Sequence, residues 1–416
     1  MARKKFISIP HFESFKNKSH NNTYYKLMKN SSQKFKDEIH DIYFGKIFRY
    51  TYDGREKRYC NPMGVEATDP QIDSLFRIQD EFGIEISLTI NSVETPHEIL
   101  RDENIQEQFI SFIRSFYERG LRSCTIGSPH LIRSKVLHKN FPEMRWKNTV
   151  NHRVADAQQV INYIFLGYDT ILLDRSISRN LNELKRIRKA VDYYNNKYKP
   201  AKKVLTSLLI QEGCLYSCPF KKEHDSIGEY ISGEYFTTLS KMTCDNWRFK
   251  EPYGNLPRNA IDLVAADKET FNEFENLNDI FKYSGRFSIF PFQPGDTKNK
   301  KLCWLFEHQK KYRFDYVPFT PNETIYANNM FDVIHDNIMP LHWWNFGWVN
   351  TTIVKGDYKS RLKILQEMPN FWKTDKGKRL ERILKTCRSQ CWDCHECEKT
   401  FDTPLFDSAL QLKGKR

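Results

Sequence analysis

The sequence predicts an α/β fold, a (β/α)8 TIM-like barrel followed by a cysteine-rich and mostly helical C-terminal extension. Two observations predict the barrel: about eight short apolar segments suit strands, and amphipathic segments with helical spacing alternate with them. Such alternation is typical of parallel β/α units that close on themselves. A third observation predicts the extension, because four of the ten cysteines lie within residues 387–397, after the alternation has ended.

The predicted barrel covers residues 37–290 and begins after a polar and basic stretch. Residues 1–36 are rich in Lys, Asn and Ser and are predicted to form a loosely ordered arm. The first unit pairs the strand EIHDIYFGKI with the helix PQIDSLFRIQDEF, and the second pairs IEISLTINS with a helix closed by Gly120. Four further strands follow in the order SCTIGS, RWKNTVNHR, DTILLDRS and KKVLTSLLIQEG.

The last two strands are predicted beyond an irregular segment. AIDLVAADK and GRFSIF resemble the seventh and eighth strands, and ETFNEFENLNDIF resembles the helix between them. Residues 214–257 form an insertion after the sixth strand, which places them at the C-terminal mouth, where such barrels carry their chemistry. Residues 291–416 are predicted to form the extension that packs against the barrel.

The chain carries an excess of basic residues, with 65 Lys and Arg against 52 Asp and Glu and a net charge of +13. This excess favours a polyanionic partner, of which nucleic acid is the commonest. The alternative is a solvated basic surface without a partner. No apolar run approaches the roughly 20 residues of a membrane span, and the N-terminus lacks the apolar core of a secretory signal. Ten cysteines without such a signal predict a reducing, cytoplasmic location.

The C-terminal cysteine run predicts a metal site. Its spacers of three, two and two residues let several thiolates converge, and they leave both an iron–sulfur cluster and zinc open, with His395 able to replace one thiolate. The first part of the run also has the spacing of the radical S-adenosylmethionine loop. That loop follows the first barrel strand, whereas this run follows the whole barrel, so this interpretation is disfavoured. The predicted ligands are Cys387, Cys391, Cys394 and Cys397.

A second group of cysteines lies in the predicted insertion. The segment IQEGCLYSCPFKKEH follows the sixth strand directly, so Cys214 and Cys218 are predicted at the mouth, and Cys244 belongs to the same insertion. Three such thiolates suit a soft metal or an iron–sulfur cluster. We expect two metal sites, with Cys60 as a candidate fourth ligand here; the alternative is one cluster completed by a tail cysteine. Cys124 lies inside a predicted strand and is expected to belong to the core.

The same segment resembles a known family. LLIQEGCLYSCPFKKEH is similar to the hallmark of the collagenase-like peptidase family U thirty-two (U32), in which a strand ends in Asn/Gln-Glu-Gly-Cys and continues into Cys-Pro and a nearby His. The resemblance covers residues 40–290 and the cysteine tail. Shorter pieces agree with the family in order, namely SLTINS, ILLDRSISRNLNELKRIRK, AIDLVAADKETF and FKYSGRF.

The resemblance implies an iron–sulfur enzyme. Better-understood relatives carry a 4Fe–4S cluster and support oxygen-independent hydroxylation of tRNA, ribosomal RNA or a quinone precursor, with prephenate implicated as the oxygen source. Others have been described as collagenases. We therefore expect one or two 4Fe–4S clusters, or zinc in place of one at the tail, and a small carboxylate donor such as prephenate. The alternatives are a peptidase and a zinc-stabilised nucleic-acid-binding protein without catalysis.

Six further residues at predicted strand ends or in the insertion are candidates for the reaction. Glu212 is a candidate general acid or base, and His224 is a candidate for orienting or protonating a donor. Two arginines suit bidentate binding of a carboxylate-rich donor. For each, the structural alternative is an ordinary hydrogen bond, a cap or a surface ion pair. The full set is Glu212, His224, Arg175, Arg286, Asn91 and His152.

The predicted extension contains two features that suit nucleic acid. Trp343, Trp344 and Trp348 could stack on unpaired bases, although such a run is more often core. The basic helix KGKRLERILK could contact phosphates, against the alternative of an ordinary solvated helix.

Overall fold

Eight parallel strands close into a barrel in the computed structural model. The structure describes residues 6–11, 23–61, 66–178, 180–210, 268–283 and 374–386, with 393, 394 and 396. In chain order the strands are β1 (Ile7–Pro10), β2 (Ile39–Gly45), β3 (Phe48–Tyr52), β4 (Arg55–Tyr59), β5 (Glu85–Ile90), β6 (Ser123–Ile126), β7 (Arg145–Lys147), β8 (Thr170–Leu172), β9 (Leu205–Ile210) and β10 (Ile280–Tyr283). All belong to the barrel except β3 and β4, which form an antiparallel hairpin. The predicted (β/α)8 barrel is therefore confirmed, and the predicted extension lies mostly outside the described residues.

Helices connect the strands, as expected for β/α units. Local sequence sets their ends: the N–H of Thr68 donates to Oε1 of Gln71 (2.8 Å) at the start of the helix after β4, and Gly83 ends that helix with φ +65°. The described helices are α1 (Thr23–Asn30), α2 (Gln33–Glu38), α3 (Asp69–Phe82), α4 (His97–Arg101), α5 (Glu103–Tyr117), α6 (Pro129–Arg133), α7 (Val136–Asn140), α8 (Ala157–Leu166), α9 (Leu181–Tyr198), α10 (Lys268–Glu275) and α11 (Asp375–Lys385).

The barrel closes through a strand that lies in the predicted arm. β1 pairs with β2 on one side, where Ser8 lies opposite Asp41, and with β10 on the other, where Ile7 lies opposite Phe281. The prediction that residues 1–36 form a loosely ordered arm is therefore wrong for the described part. The apolar residues of the short segment ISIP are buried in the barrel wall, and α1 and α2 follow it.

The strand next to β9 in the described barrel is β10, which begins inside a segment predicted to be a helix. β9 pairs directly with β10, with Ser207 opposite Ile280, so no strand can stand between them. AIDLVAADK and GRFSIF lie outside the described residues, apart from Lys268 at the start of α10. The predicted helix ETFNEFENLNDIF is shorter than expected, because α10 ends at Glu275. A turn follows, in which Asn278 Nδ2 donates to the carbonyl of Phe274 (3.2 Å). The last two residues of the segment belong to β10.

The apolar core lies between the barrel wall and the surrounding helices. Side chains on the outer face of the strands, such as Leu88 and Trp146, pack against helix residues such as Phe109 and Ile113, and all four are fully buried. This layer holds the strand ends in place. Among the described residues, every helix is too short or too polar to cross a bilayer.

Candidate functional site

Three of the predicted site residues lie at the carboxyl ends of barrel strands. Asn91 follows β5 directly, His152 ends a short 3-10 turn after β7, and Arg175 begins a similar turn after β8. In a parallel barrel these ends share one face. The sequence thus predicted their location correctly, while their roles stay predictions.

His152 is held in one orientation at this mouth. Its Nε2 lies 2.9 Å from the carbonyl oxygen of Gly127, and its ring packs on Tyr163, with 5.2 Å between ring centroids. Because a carbonyl can only accept, Nε2 carries the proton of this hydrogen bond. Burial lowers the pKa of His152, which favours the neutral imidazole, and Nδ1 has no hydrogen-bond partner among the described residues. Nδ1 is therefore a buried, unprotonated acceptor.

Gly127 brings the loops after β5 and β6 together. Its N–H donates to the carbonyl of Ile90 (2.9 Å), and a Cβ at this position would lie 2.0 Å from the carbonyl oxygen of Ser92. Only glycine fits such an approach of two backbones. Asn91 is thus fixed beside Gly127, whose carbonyl orients His152. The sequence did not predict this contact.

Cys60 lies at the same rim. Its carbonyl accepts a hydrogen bond from the N–H of Ser92 (3.1 Å), which ties the end of the β3–β4 hairpin to the loop after β5. The thiol is buried and donates to the carbonyl of Asn61 (3.1 Å). Cys124, by contrast, is fully buried on the outer face of β6, where burial raises the pKa of its thiol, so its assignment to the core is confirmed.

Arg175 lies on the loop adjacent to that of His152. The carboxylate of Asp174 accepts from the N–H of Ser176 (2.8 Å) and caps the turn, and the N–H of Asp174 donates to the carbonyl of Val154 (2.8 Å). The loops after β7 and β8 are therefore joined by their backbones. This arrangement puts a guanidinium on the same face of the barrel as His152.

Most of the predicted metal ligands and catalytic residues lie outside the described residues. Cys394 is described and is exposed. The tail helix α11 contacts the barrel, because Lys385 Nζ lies 2.7 Å from Oε1 of Glu273 on α10. In the described part of the chain no three His, Cys, Asp or Glu side chains converge as metal ligands. The predicted site residues that lie outside the described part of the chain are Glu212, Cys214, Cys218, His224, Cys244, Arg286, Trp343, Trp344, Trp348, Cys387, Cys391, His395 and Cys397.

The barrel lumen is polar, a feature that was not predicted from the sequence. TIM-barrel interiors are usually filled by bulky branched side chains, yet here hydroxyls and charges surround a cavity of ≈ 10 Å³, close to the room that one water needs. The signal was present as polar residues at alternate strand positions, which face the lumen. The polar lining includes Ser8, Asp41, Ser87, Thr125, Lys147 and Ser207.

Asp41 and Lys147 form an ion pair in this lumen, and both side chains are almost completely buried. Burial alone would raise the pKa of Asp41, but Lys147, His40 and a hydrogen bond from Ser8 together outweigh it and lower that pKa to about 2. Above the pair, Lys282 Nζ lies 4.1 Å from the ring centroid of Tyr43. Among the described residues, the lining of this cavity includes two ammonium groups and one carboxylate.

Comparisons with known proteins found likeness only among solved structures. No protein-family model matches the sequence, and no curated protein matches it. A solved structure titled as that of the U32 peptidase Mk0906 is similar, with a TM-score of 0.42 and 11% sequence identity. The match covers 68% of this chain and 94% of that chain.

Proposed function

We propose that this protein is an iron–sulfur enzyme that modifies RNA by oxygen-independent hydroxylation, with a small carboxylate such as prephenate as the oxygen donor. The observation that carries the proposal is the cysteine segment after β9. β9 ends at Ile210, and Cys214 follows four positions later in the chain. A segment that leaves the carboxyl end of a barrel strand begins at the face where TIM barrels carry their chemistry.

The proposed ligands fall into two groups. Cys214, Cys218 and Cys244 would hold a 4Fe–4S cluster at the mouth, and the four tail cysteines would hold a second cluster or zinc. Cys60 is our candidate for the fourth ligand at the mouth. Its support is its position at the rim, next to the loop after β5.

The proposed reaction uses the described mouth residues for binding and positioning. His152 orients the mouth loops through its hydrogen bond to the carbonyl of Gly127. A guanidinium such as Arg175 can bind a carboxylate through two parallel hydrogen bonds. Glu212, His224 and Arg286 are assigned to the same site from the sequence alone.

The test is the metal content and absorption spectrum of protein purified without oxygen. The variants are Cys214→Ala and Cys391→Ala/Cys394→Ala, and the matched control is Cys303→Ala, whose cysteine is isolated in the sequence. Two clusters would give about eight irons per chain, one would give about four, and Cys214→Ala should lose the mouth cluster in either case. Absence of iron and sulfide would overturn the proposal, and a colourless zinc protein that binds RNA would favour the zinc-stabilised alternative.

Peptide hydrolysis is the alternative that the family name suggests. The sequence contains no His-Glu-x-x-His zinc motif and no family signature of a Ser/His/Asp or Cys/His/Asn arrangement. Cleavage of a denatured-collagen substrate that survives the Cys214→Ala substitution would favour a peptidase. Loss of iron together with loss of RNA modification in the same variant would favour the hydroxylase.

A further inference from the structure

Three large aromatic side chains are exposed on neighbouring helices of the barrel. Phe165 on α8 is 63% exposed, and Tyr193 and Tyr198 on α9 are 59% and 52% exposed. Single exposed aromatics are ordinary on protein surfaces. Here, by contrast, two of the three rings share a neighbour. Tyr194 packs against Phe165 (6.3 Å between ring centroids) and against Tyr198 (5.0 Å).

A lysine lies between the exposed tyrosines. Lys197 Nζ lies 5.2 Å from the ring centroid of Tyr193 and 5.2 Å from that of Tyr198, and it donates to the hydroxyl of Tyr193 (2.9 Å). The cation therefore contacts both rings, and each tyrosine still stays more than half exposed. Lys189 lies one helical turn before Tyr193 and is exposed. We call Phe165, Tyr193, Tyr198, Lys189 and Lys197 the aromatic–lysine surface.

The chain around this surface is strongly basic. Between residues 185 and 203 there are eight Lys or Arg residues and one Asp, a local net charge of +7. The single carboxylate, Asp192, pairs with Arg188 (2.7 Å) and so leaves the exposed lysines unopposed within this segment. Charge of this density favours a polyanion.

We infer that the aromatic–lysine surface binds single-stranded RNA. Exposed aromatic rings offer faces on which unpaired bases stack, and neighbouring ammonium groups bind the phosphates. A duplex would not offer its bases to the rings, and an acidic protein would not use their flat faces in this way. The choice of RNA rests on the proposed function, whereas the surface itself is independent of any metal.

The surface lies away from the mouth. α9 begins near the end of β8 and ends at Tyr198, shortly before β9 starts, so its last turn lies on the face where the strands begin. Its 18 residues span about 27 Å. The RNA held here is therefore a flanking stretch of the substrate, and the nucleotide that is modified lies elsewhere.

Binding of a fluorescently labelled, mixed-sequence oligoribonucleotide to the full chain tests this inference. Tyr193→Ala/Tyr198→Ala should weaken binding by about thirtyfold or more, because each of the two stacked bases contributes at least about 1 kcal/mol. Lys189→Glu/Lys197→Glu should also weaken binding and should reduce the salt dependence, by about 1.4 in the slope of log K against log salt for two lost phosphate contacts. The matched control is Lys26→Glu/Lys34→Glu, which changes the charge equally at exposed lysines on α1 and α2.

The outcomes separate this inference from the proposed function. Equal binding by wild type and the tyrosine variant, or equal binding of duplex and single-stranded RNA, would overturn it. So would a wild-type dimer that the same variant dissociates, because the surface would then bind a second copy of the chain. Iron content in the variants should stay at the wild-type value, so failure of the cluster proposal would be seen separately.

Discussion

The carboxylate of Asp41 and the ammonium of Lys147 are paired inside the barrel although 106 positions separate them in the chain. The pair joins β2 to β7 across the lumen. Removal of two charges from water is unfavourable, and the gain from their attraction roughly offsets it. Removal of one partner alone is strongly unfavourable, because it leaves a buried charge without a counterion.

Substitution of either partner should therefore destabilise the barrel strongly. We expect Lys147→Met to lower the free energy of unfolding by about 3–5 kcal/mol, and Asp41→Asn/Lys147→Met to recover much of that loss. Urea unfolding followed by circular dichroism measures both. Glu107→Gln, which breaks a surface pair with Arg114 (3.3 Å), should change stability by at most about 1 kcal/mol. A double variant that is no more stable than Lys147→Met would contradict this account.

Asp41 should also make the fold sensitive to acid. Its pKa in the folded state is about 2, below the usual Asp value of 3.8, so the ionised group stabilises the fold fully above about pH 4. This contribution, on the order of 2 kcal/mol, is lost as the pH falls towards 2. Unfolding free energies measured from pH 5 to pH 2 should fall more for wild type than for Asp41→Asn/Lys147→Met. Parallel curves would show that Asp41 does not carry the effect.

The sequence predicted most of the barrel because most strands are apolar segments next to amphipathic helices. β2 and β5 to β9 lie where strands were predicted. β1 was missed because four residues in a polar segment give little periodicity. β10 was assigned to a helix because IFKY follows an amphipathic run, and the strand is fixed instead by long-range pairing with β9 and β1.

The candidate site could be predicted only in part for a related reason. Barrel topology puts residues that follow strands on one face, which located Asn91, His152 and Arg175 correctly. The contact between His152 and Gly127, and the pairing of Asp41 with Lys147, depend on the register between strands. Register is set by the whole barrel and is not encoded in any one segment.

Gly127 should tolerate no side chain. In Gly127→Ala the new methyl group would meet the carbonyl of Ser92, so the loops after β5 and β6 must separate and the partner of His152 must move. We expect a loss of several kcal/mol or failure to fold. Gly83→Ala is the control, since a methyl group there would meet no neighbouring atom. Only the positive φ would strain this variant, which should lower the free energy of unfolding by about 1 kcal/mol. Equal losses in the two variants would show that the backbone contact is not what requires glycine.

Asp169 should have the opposite pH dependence to Asp41. Burial raises its pKa to about 6, although Arg145 Nη1 lies 3.5 Å from its carboxylate and opposes the shift. Between about pH 4 and pH 6 the folded state keeps a proton that the unfolded state has lost, so the free energy of unfolding falls as the pH rises through this window. Asp169→Asn removes this dependence, and Arg145 keeps its hydrogen bond to the carbonyl of Lys203 (3.0 Å).

The measurement is the stability of Asp169→Asn relative to wild type at pH 4 and pH 7. The difference should shift in favour of the variant by about 2 kcal/mol between the two values, a figure reduced from the full shift because the side chain is 15% exposed. Asp73→Asn, which alters an exposed carboxylate on α3, is the control and should show a much smaller shift. If the variant lost stability relative to wild type as the pH rose, the ionised carboxylate would be stabilising, and the attraction of Arg145 would outweigh burial.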